Sequence, residues 1–299
     1  MSMIKNNIYR GLLKSPLGIW LYYRYVFFKR NRYWPNFKTP KTYNEKINYR
    51  KNNYTHPLFA VCSDKIEVKQ YVSDIIDDSV VIDNYYVGPS ITPGLIADIV
   101  KDYGDVFLKA NHNSGPVQLI TVNSSYEDIQ LACESVNMQL SVDFGKLVNE
   151  KWYSEIPPRI LVEKRLRPEK GESDIKDYKF HCFKQPDKSM KVILHVDYAR
   201  SNNHTRSFFD AETLEWLPFS LRYPSIVTKF DKPDNYKKML DIAKRLSEPF
   251  SYVRVDLYNI GGNVYFGELT FAHGGGAEEF SAYCYDEWMG KLWTEDPRI

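Results

Sequence analysis

Apolar positions change their spacing along the 299-residue chain, and the changes mark out its elements. Phe59, Val61, Cys62, Ile66, Val68 and Val72 recur at the three-and-four spacing of one helical face, which predicts a helix over 58–75. Val192, Leu194 and Val196 alternate, so 190–198 reads as a strand with one buried face. Apolar and β-branched runs predict further strands over 80–87, 106–110, 116–122, 159–166 and 178–183, with a short helix near 95–100. Ser125 precedes a helical run, and its hydroxyl can accept from early backbone N–H groups, so a helix is expected from there through Leu140. Residues 208–210 and 214–217 read as a turn-linked hairpin. Pro233 opens a helix reaching Leu246, with Leu240, Ala243 and Leu246 as its stripe. The last hairpin joins 252–258 to 264–271. The first 54 residues read as helical and irregular, broken at Pro16, Pro35 and Pro40. Strands and helices fall into two clusters, which predicts an α+β fold of two lobes. The expected divisions are 1–57 as a helical extension, 58–155 as the first lobe and 156–299 as the second.

A composition of 43% hydrophobic and 26% charged residues adds only that the protein is globular. Charge changes the picture more. Residues 1–50 carry eleven Lys and Arg against Glu45 alone, a net +10. The whole chain sums to +2, so the other 249 residues carry −8. A basic end on an acidic body suits attraction to an anionic lipid, glycan or nucleic acid, or else a solvated helical face. The acidic body argues against nucleic acid. The run 17–28 is apolar but interrupted by Arg24 and lacks a small-residue cleavage site, so it does not read as a signal peptide. It is also short of the roughly 20 apolar residues that span a bilayer. Trp20, Tyr22, Tyr23 and the flanking bases suit a membrane interface, with residues 1–35 as the contact; packing on the body is the alternative. Cys62, Cys133, Cys182 and Cys284 show no C-x-x-C spacing, so neither zinc nor a disulfide framework is expected. A cytoplasmic location follows, peripheral at the inner face of the membrane if that contact holds.

Candidate chemistry concentrates in the final hairpin, YVRVDLYNIGGNVYFGELTF over 252–271. In its first strand Arg254 and Asp256 share one face; in its second Glu268 and Thr270 share one. A plain two-residue turn at Gly261-Gly262 would put Asp256 and Glu268 on opposite faces. A longer loop or a bulge there shifts the register by one and joins them, and glycine makes such a shift cheap. Two carboxylates and a hydroxyl are hard oxygen donors suited to Mg²⁺, and a neighbouring guanidinium suits a phosphoryl group in transfer. The alternative is a salt-bridged surface hairpin.

Several short runs occur in order: Tyr43-Asn44-Glu45-Lys46, Ser63-Asp64-Lys65, Phe107-Leu108-Lys109-Ala110-Asn111-His112, Leu161-Val162-Glu163, Asp177-Tyr178-Lys179-Phe180, Arg254-Val255-Asp256 and Gly267-Glu268-Leu269-Thr270-Phe271. Through them the chain, over roughly 40–290, resembles the ATP-grasp superfamily. Within it, the likeness is to the TupA-like amidoligases associated with teichuronopeptide and other bacterial surface polysaccharides. The resemblance implies an ATP-grasp fold whose two lobes clasp ATP. It implies that Lys109 and Arg254 act in catalysis, Lys109 on ATP and Arg254 on the γ-phosphate or an acyl phosphate. Lys65 falls in the nucleotide cleft or else pairs with Asp64 on a helix surface. Asn111, His112, Ser114 and Gly115 belong to a loop over the phosphates, and Glu163, Lys164 and Leu166 to an inter-lobe hinge at the adenine. Asp177 and Lys179 complete the nucleotide site, Lys179 either touching phosphate or only pairing with Asp177, while Asp256, Glu268 and Thr270 hold Mg²⁺. Thr270 departs from the Asn usual in the superfamily, and Lys179 stands where an acidic or apolar residue is common.

The implied reaction joins a carboxylate and an amine through an acyl phosphate, with ADP released. The partners expected are ATP, an amino acid and a uronic-acid-containing glycan acceptor. Two rivals remain at this point: a glycosyltransferase of the same pathway using a sugar nucleotide, and a non-catalytic glycan- or nucleotide-binding module. His273 follows the metal strand and is a candidate to meet the acceptor, while Gly274-Gly275-Gly276 after it reads as a close backbone approach or a tight turn. His195, on an alternating strand, reads as a structural histidine.

Overall fold

A computed structural model describes residues 15–169, 174–198 and 203–299. Its helices are α1 (Pro16–Asn31), α2 (Tyr43–Asn53), α3 (Leu58–Ser63), α4 (Glu67–Ile75), α5 (Pro93–Tyr103), α6 (Tyr126–Gln139), α7 (Phe144–Val148), α8 (Tyr236–Ser247) and α9 (Tyr283–Leu292). The strands β1 (Asn84–Gly88), β2 (Val106–Ala110), β3 (Val117–Ile120) and β4 (Ile160–Lys164) form one antiparallel sheet in the order β1-β4-β2-β3. A second antiparallel sheet contains β5 (Asp177–Lys184), β6 (Met190–Tyr198), β7 (Thr205–Asp210), β8 (Trp216–Leu217), β9 (Tyr252–Ile260) and β10 (Asn263–Thr270), in the order β10-β9-β5-β6-β7-β8. The expected α+β architecture is present, with a core for each sheet.

The smaller core forms where Ile96, Ile99 and Val100 of α5 and Ile129, Ala132, Cys133 and Val136 of α6 cover Val106, Leu108, Ala110, Ile160 and Val162. The start of α6 follows from its cap: Ser125 accepts from Asp128 N–H while the Asp128 side chain answers the Ser125 N–H. The larger core lies behind the six-stranded sheet. There Phe180, Cys182, Val253 and Val255 meet the α8 stripe of Tyr236, Met239, Leu240, Ala243 and Leu246.

Three expectations are corrected by the structure. The helix over 58–75 is interrupted, because Asp64 leaves helical geometry (ψ 115°) and its carboxylate accepts from Ile66 N–H at 2.8 Å. The break sends the Lys65 N–H to the Asn111 carbonyl at 3.3 Å, toward the other sheet. Pro16 starts a helix instead of breaking one, since Ser15 caps it and proline is tolerated in a first turn. Contacts also run across the expected divisions at 57/58 and 155/156. Tyr43, Ile47, Phe59, Val68 and Trp152 all join the large core, while β4 pairs with β1 and β2 in the first sheet.

The third correction concerns the final hairpin. Gly261 and Gly262, at φ 57° and 76°, make the plain two-residue turn that pairs Ile260 with Asn263. The register shifts farther on, between Phe266 and Glu268, so Asp256 faces Glu268 and Arg254 faces Thr270. Gly267 is the bulged residue. A Cβ there would stand 3.1 Å from the Asp256 carbonyl oxygen, so this close approach excludes a side chain without adjustment.

Candidate functional site

Strand alternation puts two different surfaces on the six-stranded sheet. One packs on α8. The other carries Asp177, Lys179 and His181 from β5, His195 and Asp197 from β6, Arg254 and Asp256 from β9, and Glu268 and Thr270 from β10. Pairing aligns Glu268, Asp256, Lys179 and His195 in one row across four strands. Most of these groups are buried, which is unusual for charge unless it is paired.

The pairing is dense. Arg254 forks onto Asp256, with Nε to Oδ1 and Nη2 to Oδ2 both at 2.7 Å. Its Nη2 also donates to Glu268 Oε1 at 2.5 Å, and its Nη1 meets His273 Nδ1 at 2.5 Å. Lys179 Nζ donates to Asp256 Oδ2 at 3.0 Å and to Asp177. Burial pushes the Asp256 carboxyl up, but Arg254 and then Lys179 hold it well below the usual carboxylate range. Glu268 differs: its side chain is 56% exposed, and the Thr270 hydroxyl donates to the same Oε1 at 2.7 Å.

The four-stranded sheet supplies the opposing wall. Lys109 Nζ reaches Glu163 Oε2 at 2.6 Å, and Lys69 Nζ from α4 reaches Glu163 Oε1 at 2.8 Å. Burial raises the Glu163 carboxyl; Lys109 and Lys69 more than offset this and leave it lowered. Lys65, delivered by the break between α3 and α4, donates to the carbonyls of Asn111 (3.4 Å) and Asn113. Burial first and Lys109 second push the Lys65 ammonium down to about 8. Between the walls lies a cavity of about 530 Å³ lined by residues of both sheets.

Of the residues singled out in the sequence, Lys65, Lys109, Ser114, Glu163, Asp177, Lys179, Arg254, Asp256, Glu268 and His273 line this one cavity. The others take different places. Asn111 is buried, donating to Pro157 O and accepting from Arg159 N–H, so it ties the chain instead of facing a ligand. His112 is buried with Nε2 at 3.2 Å from both Gln139 O and Val142 O. Gly115 follows in the same loop, its N–H donating to Asn113 Oδ1 at 3.3 Å. The Lys164 ammonium pairs with Asp83 at 3.2 Å, and Leu166 is half-buried beyond the end of β4. Thr270 serves Glu268.

Sequence reasoning missed a second set. Asp197 Oδ1 accepts from Arg206 Nε and pairs with His204 Nε2, both at 2.9 Å. Arg206 Nη1 donates to Glu278 Oε2 at 2.7 Å, and Arg222 Nη1 to Glu278 Oε1 at 3.3 Å. Glu278 Oε2 lies 3.1 Å from His273 Nε2, which closes a circuit back to Arg254. Asp197 was within reach, two residues from His195 on an alternating strand. Arg206 and Glu278 were not, because only sheet pairing and the chain's return bring them there.

His181, His195 and His273 sit together, with nitrogens of all three within 4.8 Å of one another. Partners already occupy the cluster: His181 Nδ1 meets Tyr252 OH at 3.0 Å, His181 Nε2 meets His195 Nδ1 at 3.2 Å, and His195 Nε2 meets Asp197 at 3.3 Å. Burial and the surrounding cations and rings lower the His181 pKa well below the ordinary value. His181 and His195 are thus hydrogen-bonded to each other, and the His273 ring stands edge-on to both. His195 thus has the partners of a structural histidine, and His273 holds Arg254.

Comparisons with known proteins complete the description. A family model described as TupA-like ATPgrasp matches residues 45–294. No curated protein sequence matches. Among solved structures, a D-alanine-D-alanine ligase from Helicobacter pylori is 14% identical, with a TM-score of 0.46 over 80% of this chain and 60% of that one. The D-alanyl-alanine synthetase A of Vibrio cholerae is 11% identical, with a TM-score of 0.47 over 80% and 66%. The ATP-grasp ligase PsnB, solved with a precursor variant, Mg and ADP, is 10% identical, with a TM-score of 0.42 over 80% and 61%. The chain therefore spans less than two thirds of the length of each of these three.

Proposed function

Because the chain belongs to the TupA-like ATP-grasp family, we propose that it is an ATP-dependent, ADP-forming carboxylate–amine ligase. Its product is an amide joining an amino acid to a uronic acid or peptide of a bacterial cell-surface polysaccharide. One observation supports the site most: buried Lys179, Arg254 and Asp256, with the more exposed Glu268 beside them, face Lys65 and Lys109 across a cavity of about 530 Å³. Such paired burial of charge costs stability compared with an apolar face, which argues for retention by function.

The donor set fits a magnesium nucleotide. Asp256 and Glu268 are adjacent hard carboxylates, and the partly exposed Glu268 keeps Oε2 outside its bonds to Arg254 and Thr270. Those two residues would hold Mg²⁺, with the Thr270 hydroxyl orienting Glu268. When bound, the ion would supply neutralisation of phosphate charge. Lys65 and Lys109 are the cations for the nucleotide phosphates, and Ser114 lines the cavity beside them. Glu163 fixes the Lys109 ammonium, and Lys179 and Arg254 present positive charge where the transferred phosphoryl develops charge.

In the reaction an acceptor carboxylate oxygen attacks the γ-phosphorus of ATP, the bond to the β-phosphate oxygen breaks, and ADP leaves. The amine then attacks the acyl carbon of the acyl phosphate, forms the C–N bond, sheds a proton and expels phosphate. Both steps need the reactants aligned and water kept out, which a cleft between two sheets provides. Among the described residues no helix is long and apolar enough to cross a membrane. The proposal places the enzyme in the cytoplasm, with α1 lying on an anionic membrane surface through exposed Leu17, Trp20, Tyr23, Tyr25 and Phe28. Deleting residues 1–35 without loss of liposome binding would refute that contact.

The test of the reaction is an ADP-release assay with Mg²⁺ over a panel of amino acids and uronic-acid acceptors. ADP release that requires both an amine and a carboxylate is the expected outcome. Release of UDP from a sugar nucleotide without ATP use would favour a glycosyltransferase instead, and nucleotide binding without turnover would favour a non-catalytic module.

A further inference from the structure

The cavity between the sheets does not close at its far end. Arg222, Tyr223, Gly274 and Glu278 line it there, and the same four residues line a second hollow of about 990 Å³. That hollow continues past Ser220, Pro224 and Ser281 to Lys29, Arg30 and Arg32 at the C-terminal end of α1. The two hollows thus meet at a shared wall, with Arg254 lining the first and the N-terminal basic segment lining the second.

Charge along these hollows is unevenly compensated. Glu278 is held by Arg206 and Arg222, and Glu279 pairs with Arg32 at 3.4 Å. Among the described residues neither Lys29 nor Arg30 forms an ion pair. The last-turn position of Lys29 and Arg30 complements the helix dipole, which explains their sign but not the hollow they line. Arg222 belongs to no helix. Its backbone takes the left-handed region at φ 63°, pinned by its N–H to Glu279 O at 3.0 Å and by the Leu221–Phe280 bridge. Such backbone is uncommon for a residue with a side chain, so these two ties constrain the position. The constraint sets a guanidinium with 58% of its side chain exposed at the junction of the two hollows, beside Tyr223 at 5.2 Å.

We propose that the second hollow is the entry groove for an acidic glycan, whose successive uronate carboxylates pair with Lys29, Arg30 and Arg222 as its reacting end passes into the cleft. The inference rests on the ligase reading and adds where the acceptor lies. Main-chain groups of the groove favour a glycan over a peptide. Arg222 N–H goes to Glu279 O, Tyr223 N–H to Leu221 O, Ser281 N–H to Ser220 O, and Pro224 O accepts from Arg206 N–H. A peptide strand would find that backbone already paired, whereas sugar carboxylates and hydroxyls are read by side chains.

The experiment measures binding of an oligogalacturonate to the full chain at physiological salt without nucleotide. Galacturonic acid monomer, a neutral oligosaccharide and polyglutamate are the comparison ligands, and ATP binding is read separately in the same preparations. The oligomer should bind more tightly than the monomer and the neutral chain. Lys29→Gln with Arg30→Gln should weaken the oligomer about tenfold, while monomer and ATP affinities stay within about twofold. Arg222→Gln should weaken oligomer and monomer together, with a melting curve confirming that each variant is folded. Unchanged oligomer affinity in the double variant, or tighter binding of polyglutamate, would overturn the groove. Failure of the native protein to bind ATP would instead overturn the ligase reading and leave the groove result standing.

Discussion

The two sheets of this molecule share an antiparallel geometry and differ in what they bury. The four-stranded sheet hides Val106, Leu108, Ala110, Ile160 and Val162 under α5 and α6, and gives the cleft Lys109, Val117 and Glu163 from its strands. The six-stranded sheet hides an equally apolar surface under α8, yet its other face buries Asp177, Lys179, His181, His195, Asp197, Arg254 and Asp256. An apolar face in either place would satisfy the demands of packing. The charged face therefore reports a demand of a different kind, and the closed circuit through Arg206, Glu278 and His273 is what makes it tolerable in a folded chain.

Substitutions on the two sheets should separate those demands. The largest effect is expected for Arg254→Ala, which strips Asp256, Glu268 and His273 of a shared partner. It should cost about 3–5 kcal/mol in denaturant unfolding and also abolish ADP release from the molecules that remain folded. Leu108→Ala should cost about 2–5 kcal/mol, with ADP release per folded molecule close to that of the native protein. If the two variants instead lose activity in the same proportion to stability, the contrast between the sheets is wrong.

A smaller effect is expected at the seam. Lys109→Ala should weaken ATP binding about 10- to 100-fold in calorimetry, by removing a phosphate cation and leaving Glu163 with Lys69 alone. Glu163→Gln should weaken it less. A double variant close to Lys109→Ala alone would establish that Glu163 acts by positioning Lys109.

The smallest effect is on pH dependence through Lys65, whose folded-state pKa is pushed down to about 8 from 10.5, first by burial and then by Lys109. Between those values the unfolded chain holds a proton that the folded one has lost, so this group's contribution to stability grows as pH rises. Phosphate affinity should move the other way and fall as pH passes about 8, by less than about tenfold. Lys65→Gln should flatten both trends, measured as melting temperature and ATP affinity against pH.

Periodicity was enough to read β2 and β6 with their bounds, and Ser125 as the start of α6, because each depends on neighbours in sequence. The break between α3 and α4 was not readable in the same way. Asp64 and Lys65 are compatible with a helix, and the carbonyl that captures the Lys65 N–H belongs to Asn111, 46 positions away. The alignment of Asp256 with Glu268 was anticipated, but the shift was assigned to the turn glycines when Gly267 carries it. The ordered short runs led to the family without sorting their members. Lys109 lines the cleft, whereas Asn44 ties α2 to Asp286, Asn31 and the Glu278 carbonyl, and Asn111 ties β2 to the chain before β4. A residue's place in a run says that the position matters, and only the fold says for what.

The central claim is that the charged face of β5, β9 and β10 is where a divalent ion and ATP meet. Mn²⁺ tests it most directly, by its relaxation of the ³¹P signals of bound ATP in the native protein and in Asp256→Asn/Glu268→Gln. Native protein should show strong, site-bound relaxation of the β- and γ-phosphate signals, and the double variant should lose it while ATP still binds weakly through Lys65 and Lys109. Equal relaxation in both proteins would contradict the account and move the metal elsewhere.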